Sequence, residues 1–231
     1  MSNNLGVAAN RRLRIRFGSL ALIAAAVFFV LYPAVRPWED ETTVVGATTA
    51  MASTAWVMSH LFGMIGLTLL PIGLLALHYA LSGTRAEPLS FVALVTGMLG
   101  VGFTLPFFGA ETYGLNAIAR ASAEGEPFDL LAVIDGVRFG VVAVSTFGAG
   151  MITVGIAAIL AAVAGWRSGT LDRRAGVLFA LAFALYVPQF YAPPAARIAH
   201  GLLVGLGCAW LARELWRAVA SLPPQDHPTR I

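Results

Sequence analysis

Residues 53–81 read STAWVMSHLFGMIGLTLLPIGLLALHYAL, without one Asp, Glu, Lys or Arg. At about 1.5 Å of rise per residue, such a stretch outruns the ~30 Å hydrocarbon core of a bilayer and predicts a membrane-spanning helix. Outward from it, charges and turn formers cut the chain into further apolar stretches at 17–35, 89–110, 137–164, 175–192 and 195–219, of which 175–192 is barely long enough to cross. Composition agrees. The chain is 58% apolar and 12% charged with a mean hydropathy of +0.78, where soluble domains carry roughly 25% charged residues, which rules out an ordinary water-soluble enzyme. The fold class expected is all-α, a polytopic transmembrane bundle of six helices in one integral-membrane domain over 1–231.

All fifteen basic residues are arginine, and their placement gives the orientation. Arg11-Arg12-Leu13-Arg14-Ile15-Arg16 precedes the first span, and Tyr32-Pro33-Ala34-Val35-Arg36 after it offers no small-x-small cleavage site, so a retained helix starting inside is expected. Under that topology only Arg36, Arg120, Arg138 and Arg197 lie outside, against eight of the twelve acids: Glu39, Asp40, Glu41, Glu111, Glu124, Glu126, Asp129 and Asp135. The net +3 therefore conceals a dipolar chain, N-in and C-in, whose basic charge orients it in a membrane. No phosphate-cradling loop or basic–aromatic run speaks for nucleic acid, so the partner expected is the lipid bilayer. Lysine-free, alanine-rich usage points to a bacterial cytoplasmic membrane.

Tyr32, Trp38, Trp56, Trp166, Trp210 and Trp216 fall where headgroups are expected, as an aromatic belt would. The one long connection, 112–136, reads as two short helices lying on the outer surface or one folded over the bundle, the single candidate lid. Gly97, Gly100 and Gly102, Gly148 and Gly150, Gly136/Gly140 and Gly201/Gly205 mark expected packing seams, because helices in lipid approach closely through small residues. Cys208 reads as a small buried hydrophobe. Pro223-Pro224 is expected to end the last helix.

Titratable groups inside spans are costly and mark candidate sites. His60 and His200 fall at nearly the same outer depth, whereas His78 lies five turns from His60 in the other leaflet and His227 in the tail. Pro106 and Pro188 free the carbonyls of Gly102 and Ala184 at that outer depth, and Glu111 sits at the mouth of the third span. Three chemistries use this set. His60 and His200 as axial imidazoles would hold a b-type haem, non-covalently in the absence of Cys-x-x-Cys-His. His60, His200 and Glu111 together would bind a divalent metal, zinc or iron, with an open position. Glu111 alone would serve as the catalytic acid on a lipid-soluble, isoprenoid-like substrate, with Tyr113, Tyr186, Phe107 and Phe190 lining the pocket. Two plainer readings stand beside these. A small hydrophobic molecule would be transported, ion transport being disfavoured by a midplane nearly free of charge. A purely structural membrane subunit would use the histidines as hydrogen-bonded packing residues, Glu111 as an interfacial partner of Arg120 or Arg138, Arg197 as a snorkelling cation and Phe107-Phe108 as a lipid-facing belt.

Overall fold

The computed structural model describes residues 2–220, with side chains from residue 10 onward. Pro223-Pro224, His227 and Arg230 lie outside the described residues. Every regular element among the described residues is helical: α1 (Ser2–Val35), α2 (Val44–Met51), α3 (Thr54–Leu81), α4 (Glu87–Gly109), α5 (Leu115–Ala123), α6 (Leu130–Phe139), α7 (Val141–Ser168), α8 (Arg173–Ala184) and α9 (Pro194–Ala220). A π-helical turn, Ala110–Gly114, joins α4 to α5, and a 3₁₀ turn, Pro188–Tyr191, joins α8 to α9.

Six of these helices close a ring in the order α1, α3, α4, α7, α8, α9 and back to α1, each antiparallel to its neighbours. Small residues set the close approaches. On α9, Gly201 faces Phe29 and Pro33 of α1, and Gly205 faces Ala26 and Val30. Gly100 of α4 and Gly150 of α7 face one another across their seam. Gly102, Gly136 and Gly148 are different: nothing lies within 4 Å of the position their side chains would occupy, so they contribute no seam. Phe91, Met98, Phe103, Ile152 and Leu206 all point away from the ring and are more than half exposed, as an apolar surface solvated by lipid requires.

Five helices are long and apolar enough to cross a membrane: Asn10–Val35, Thr54–Leu81, Glu87–Ala123, Val141–Ser168 and Pro194–Ala220. The sequence reading expects a sixth over 175–192, and there the structure differs. Helix α8 has only 12 residues, about 18 Å of rise, well short of a ~30 Å core. Pro188 has no N–H to give the Ala184 carbonyl, so the helix stops there and the chain tightens into the 3₁₀ turn. This pass of the ring is completed by the turn residues 185–193, of which Tyr186 and Gln189 are buried and Tyr191 is exposed.

The two ends of the ring differ in charge. At one end Arg11 donates to the carbonyls of Tyr79 (2.8 Å), Ala80 (3.2 Å) and Ser82 (3.1 Å), Arg16 lies over Trp216, and Arg85 donates to the Arg167 carbonyl (2.8 Å). That end also holds the start of α1 and the close of α9. The opposite end is covered by a cap of α2, α5 and α6 with its own small core of Ala47, Met51, Trp56, Leu115, Ala119, Leu130 and Ile134. Local chemistry starts its helices: Thr43, Ser53 and Asp129 side chains accept from the backbone N–H groups of Gly46, Trp56 and Ala132. Helix α2 is not anticipated by hydrophobic period; Asn116 of α5 pins it by donating to the Met51 carbonyl (2.6 Å).

Candidate functional site

At the cap end a chain of alternating charges runs through the protein. Arg36 donates to Glu41 (2.5 Å), and Arg138 donates through Nη1 to the other Glu41 oxygen (2.7 Å). Arg138 also grips Glu111 with a two-pronged pair, Nε to Oε1 at 2.7 Å and Nη2 to Oε2 at 2.9 Å. Such fork-on-fork pairing is the strong form of a charge-assisted hydrogen bond. Two cations meet two anions, so the quartet is balanced within itself. Burial alone would raise the Glu41 carboxyl, but Arg36 and Arg138 on either side hold it below the ordinary carboxylate value.

Glu111 reaches this position because the π turn after α4 rotates residues 110–114 inward, burying Glu111 and Thr112. Pi turns of this kind recur where a helix must aim a side chain at a site. Trp56 is the floor. It is fully buried, its Nε1 donates to the Glu111 carbonyl (2.7 Å), and its ring lies under the Arg36 and Arg138 guanidiniums at 4.9 Å and 5.5 Å. The sequence reading places Trp56 in a headgroup belt; the structure corrects this, because the cap covers it. Trp166 and Trp216, about half exposed at the other end, do sit at the surface.

His60 stands one turn after Trp56 on α3, 3% exposed, boxed by Trp56 (4.3 Å between ring centres), Tyr32 (5.5 Å) and Phe108 (6.2 Å). Its Nδ1 lies 2.8 Å from the Trp56 carbonyl, which can only accept, so Nδ1 carries the hydrogen. That leaves Nε2 facing Glu111 Oε2 at 3.8 Å. Phe108, expected in a lipid-facing belt, is 3% exposed and belongs to this box.

His200 is elsewhere. On α9, half-buried, it donates from Nε2 to the Ala182 carbonyl (2.8 Å) and meets Tyr186 edge-on (5.1 Å). His60 and Glu111 are thus brought together, and His200 belongs to a second cluster with Tyr186, Gln189 and Arg197. No group of three or more His, Cys, Asp or Glu among the described residues is placed to hold a metal ion, so the set His60, His200 and Glu111 is not assembled around one centre. Of the aromatics expected to line a substrate pocket, Tyr113 is 57% exposed and points out of the site, while Phe107 stacks on Phe147. His78 is held by Ser90 (3.1 Å) near the arginine end.

Sequence reasoning missed Glu41, Arg36 and Trp56 as members of the site. One signal was available. Trp56 and His60 are four apart and share a helix face directly after the Ser53 cap, which places both at the same end of α3. Nothing local shows that residues 41 and 138 meet, since 97 positions separate them. Compared with protein-family profiles, curated proteins and solved structures, the chain matches none.

Proposed function

We propose that this is a multi-pass protein of the cytoplasmic membrane, its arginine end in the cytoplasm and its capped end outside, whose outward-facing site handles a proton for a lipid-soluble small molecule. The orientation rests on the arginines gathered with Trp166 and Trp216 at the end holding the start of α1. One observation carries the chemistry: His60 Nε2 and Glu111 Oε2, both acceptors when the imidazole is neutral and the carboxyl ionised, face each other at 3.8 Å inside the protein. Two acceptors so placed repel unless something positive lies between them, and a proton is the simplest such species. The Trp56, Tyr32 and Phe108 rings enclose the imidazole and keep bulk water from the pair. Arg138 fixes the carboxylate, and Glu111 then acts as the acid/base partner of His60.

Proton release and uptake on pH jumps, in detergent-purified protein, tests this reading. In the difference between the wild type and each variant, one proton-binding step is expected, lost in His60→Gln and equally in Glu111→Gln. Two independent steps, each surviving removal of the other residue, would overturn it. A divalent cation is the other positive species that fits between two acceptors, but the pair supplies two ligands where such sites use three or more. A b-type haem on His60 and His200 requires His200 to leave the Ala182 carbonyl. A Soret band, or stoichiometric zinc or iron lost in His60→Ala, would put a cofactor in place of the proton.

A further inference from the structure

Beside the charged quartet, a narrow crevice opens between the end of α1, the 3₁₀ turn and the start of α9, with a cavity volume of about 10 Å³, room for a single water-sized group, below an open mouth. Tyr32 and Tyr186 form its walls, 7% and 3% exposed. Neither phenol hydroxyl makes a hydrogen bond to a described residue, although no buried side-chain polar atom lacks a partner, so both hydroxyls must reach the open space. Arg197 enters from the α9 side. Its Nε donates to Gln189 Oε1 (3.3 Å), and its guanidinium lies between Trp38 (4.8 Å) and Phe190 (5.3 Å). No carboxylate of a described residue lies within 4.0 Å of it, and Nη1 and Nη2 have no hydrogen-bond partner among those residues.

Nearby acids offer it nothing. Glu41 and Glu111 are taken up by Arg36 and Arg138, so Arg197 brings one positive charge that the protein leaves unmatched. The crevice thus presents a fixed guanidinium fork and two phenol donors, over a floor of Phe29, Gly201 and Val204. A guanidinium fork and phenol donors beside apolar side chains suit a small oxyanion, since the other lining guanidinium, Arg36, is paired to Glu41 and the Gln189 Oε1 acceptor is taken by Arg197 Nε. We propose that this crevice binds the oxyanion head of a small ligand, a carboxylate or phosphate, with Arg197 pairing to it and Tyr32 and Tyr186 donating to its oxygens. Tyr32 also touches His60, so the bound head would lie one ring away from the proton site. The inference is independent of the proton reading, since it uses neither Glu111 nor the imidazole of His60.

The charged head has two possible sources, a membrane amphiphile or a free anion, and equilibrium binding to the full chain in a non-ionic detergent separates them. The probes are radiolabelled dodecanoate, inorganic phosphate, and dodecanol as the neutral twin of the first. Saturable dodecanoate binding, weakened about tenfold or more by Arg197→Gln and several-fold by Tyr186→Phe and Tyr32→Phe, supports an amphiphile head. Phosphate binding with the same sensitivities, and no dodecanoate binding, supports a free anion. Arg197→Lys keeps the charge and loses the fork, so partial retention is expected. Dodecanol binding as well as dodecanoate, indifference to Arg197→Gln and both Tyr→Phe variants, or no binding of either anion overturns the proposal. The phenylalanine variants preserve ring packing, so a folding defect in Arg197→Gln does not mask the answer.

Discussion

Arg138 is the residue on which the cap end depends most. It is the only contact between Glu41 and Glu111, which are carried by different segments of the cap and the bundle. Removing one partner of a buried charge network leaves the others desolvated and unpaired, a loss of about 3–5 kcal/mol. Arg138→Met is therefore expected to lower the unfolding midpoint in detergent strongly, and adding Glu111→Gln to recover part of the loss. A double variant no more stable than Arg138→Met alone would show that the pair is not coupled. Trp56→Phe keeps the apolar floor but loses the donor to the Glu111 carbonyl, for an expected cost of about 1–2 kcal/mol by the same measurement. Glu111 was legible as a candidate because a carboxylate at the mouth of an apolar span is conspicuous. Its grip by Arg138 is one of two pairings the sequence leaves open, with Arg120 the other, because nothing in a run of 26 intervening residues says which arginine returns.

At the scale of elements, the cap and the seams respond to different perturbations. Glu41 titrates below its ordinary value of 4.5, so its contribution to holding α2 and α6 is complete above that value and is lost as pH falls through the depressed one. Hydrogen exchange in Val44–Met51 and Leu130–Phe139 is expected to accelerate in that acid window while α3 stays protected, and Glu41→Gln to abolish the difference. Equal acceleration across the ring would refute a local latch. In the seams, a methyl on Gly100 would meet Val154 N at 2.7 Å and Gly150 O at 2.9 Å, both backbone atoms that cannot step aside. Gly100→Ala is expected to destabilise by about 1–3 kcal/mol, whereas Gly136→Ala, in open space on an exposed helix, is expected to be neutral or stabilising by about 0.5–1 kcal/mol. Hydrophobic period finds long helices well and misses α2, whose eight residues are too few to show a period although Ala47, Ala50 and Met51 are buried in the cap core beside its Thr43 cap and the Asn116 hydrogen bond.

For the whole molecule, the antiparallel ring puts the start of α1 and the close of α9 at one end, although α8 is too short to be counted as a span. Single cysteines in a Cys208→Ser background test the proposed orientation in intact cells: an impermeant maleimide is expected to label Ser122→Cys on the cap and to spare Ser82→Cys and Ser168→Cys. Labelling of the last two alone would invert it. Cys208 is fully buried, so its replacement is made only to remove background. What the amino-acid order by itself decided is the all-helical class and its five long apolar helices, because length and apolarity act through each segment separately, whatever its neighbours. What only the tertiary structure decided is the site. His60 pairs with Glu111 and not with His200, the third and fourth members of the charged chain come from distant segments, and a phenol pair opens toward Arg197. Each of these depends on which helix stands beside which and on how far a turn rotates a side chain, quantities set by packing between elements that no single stretch of chain encodes.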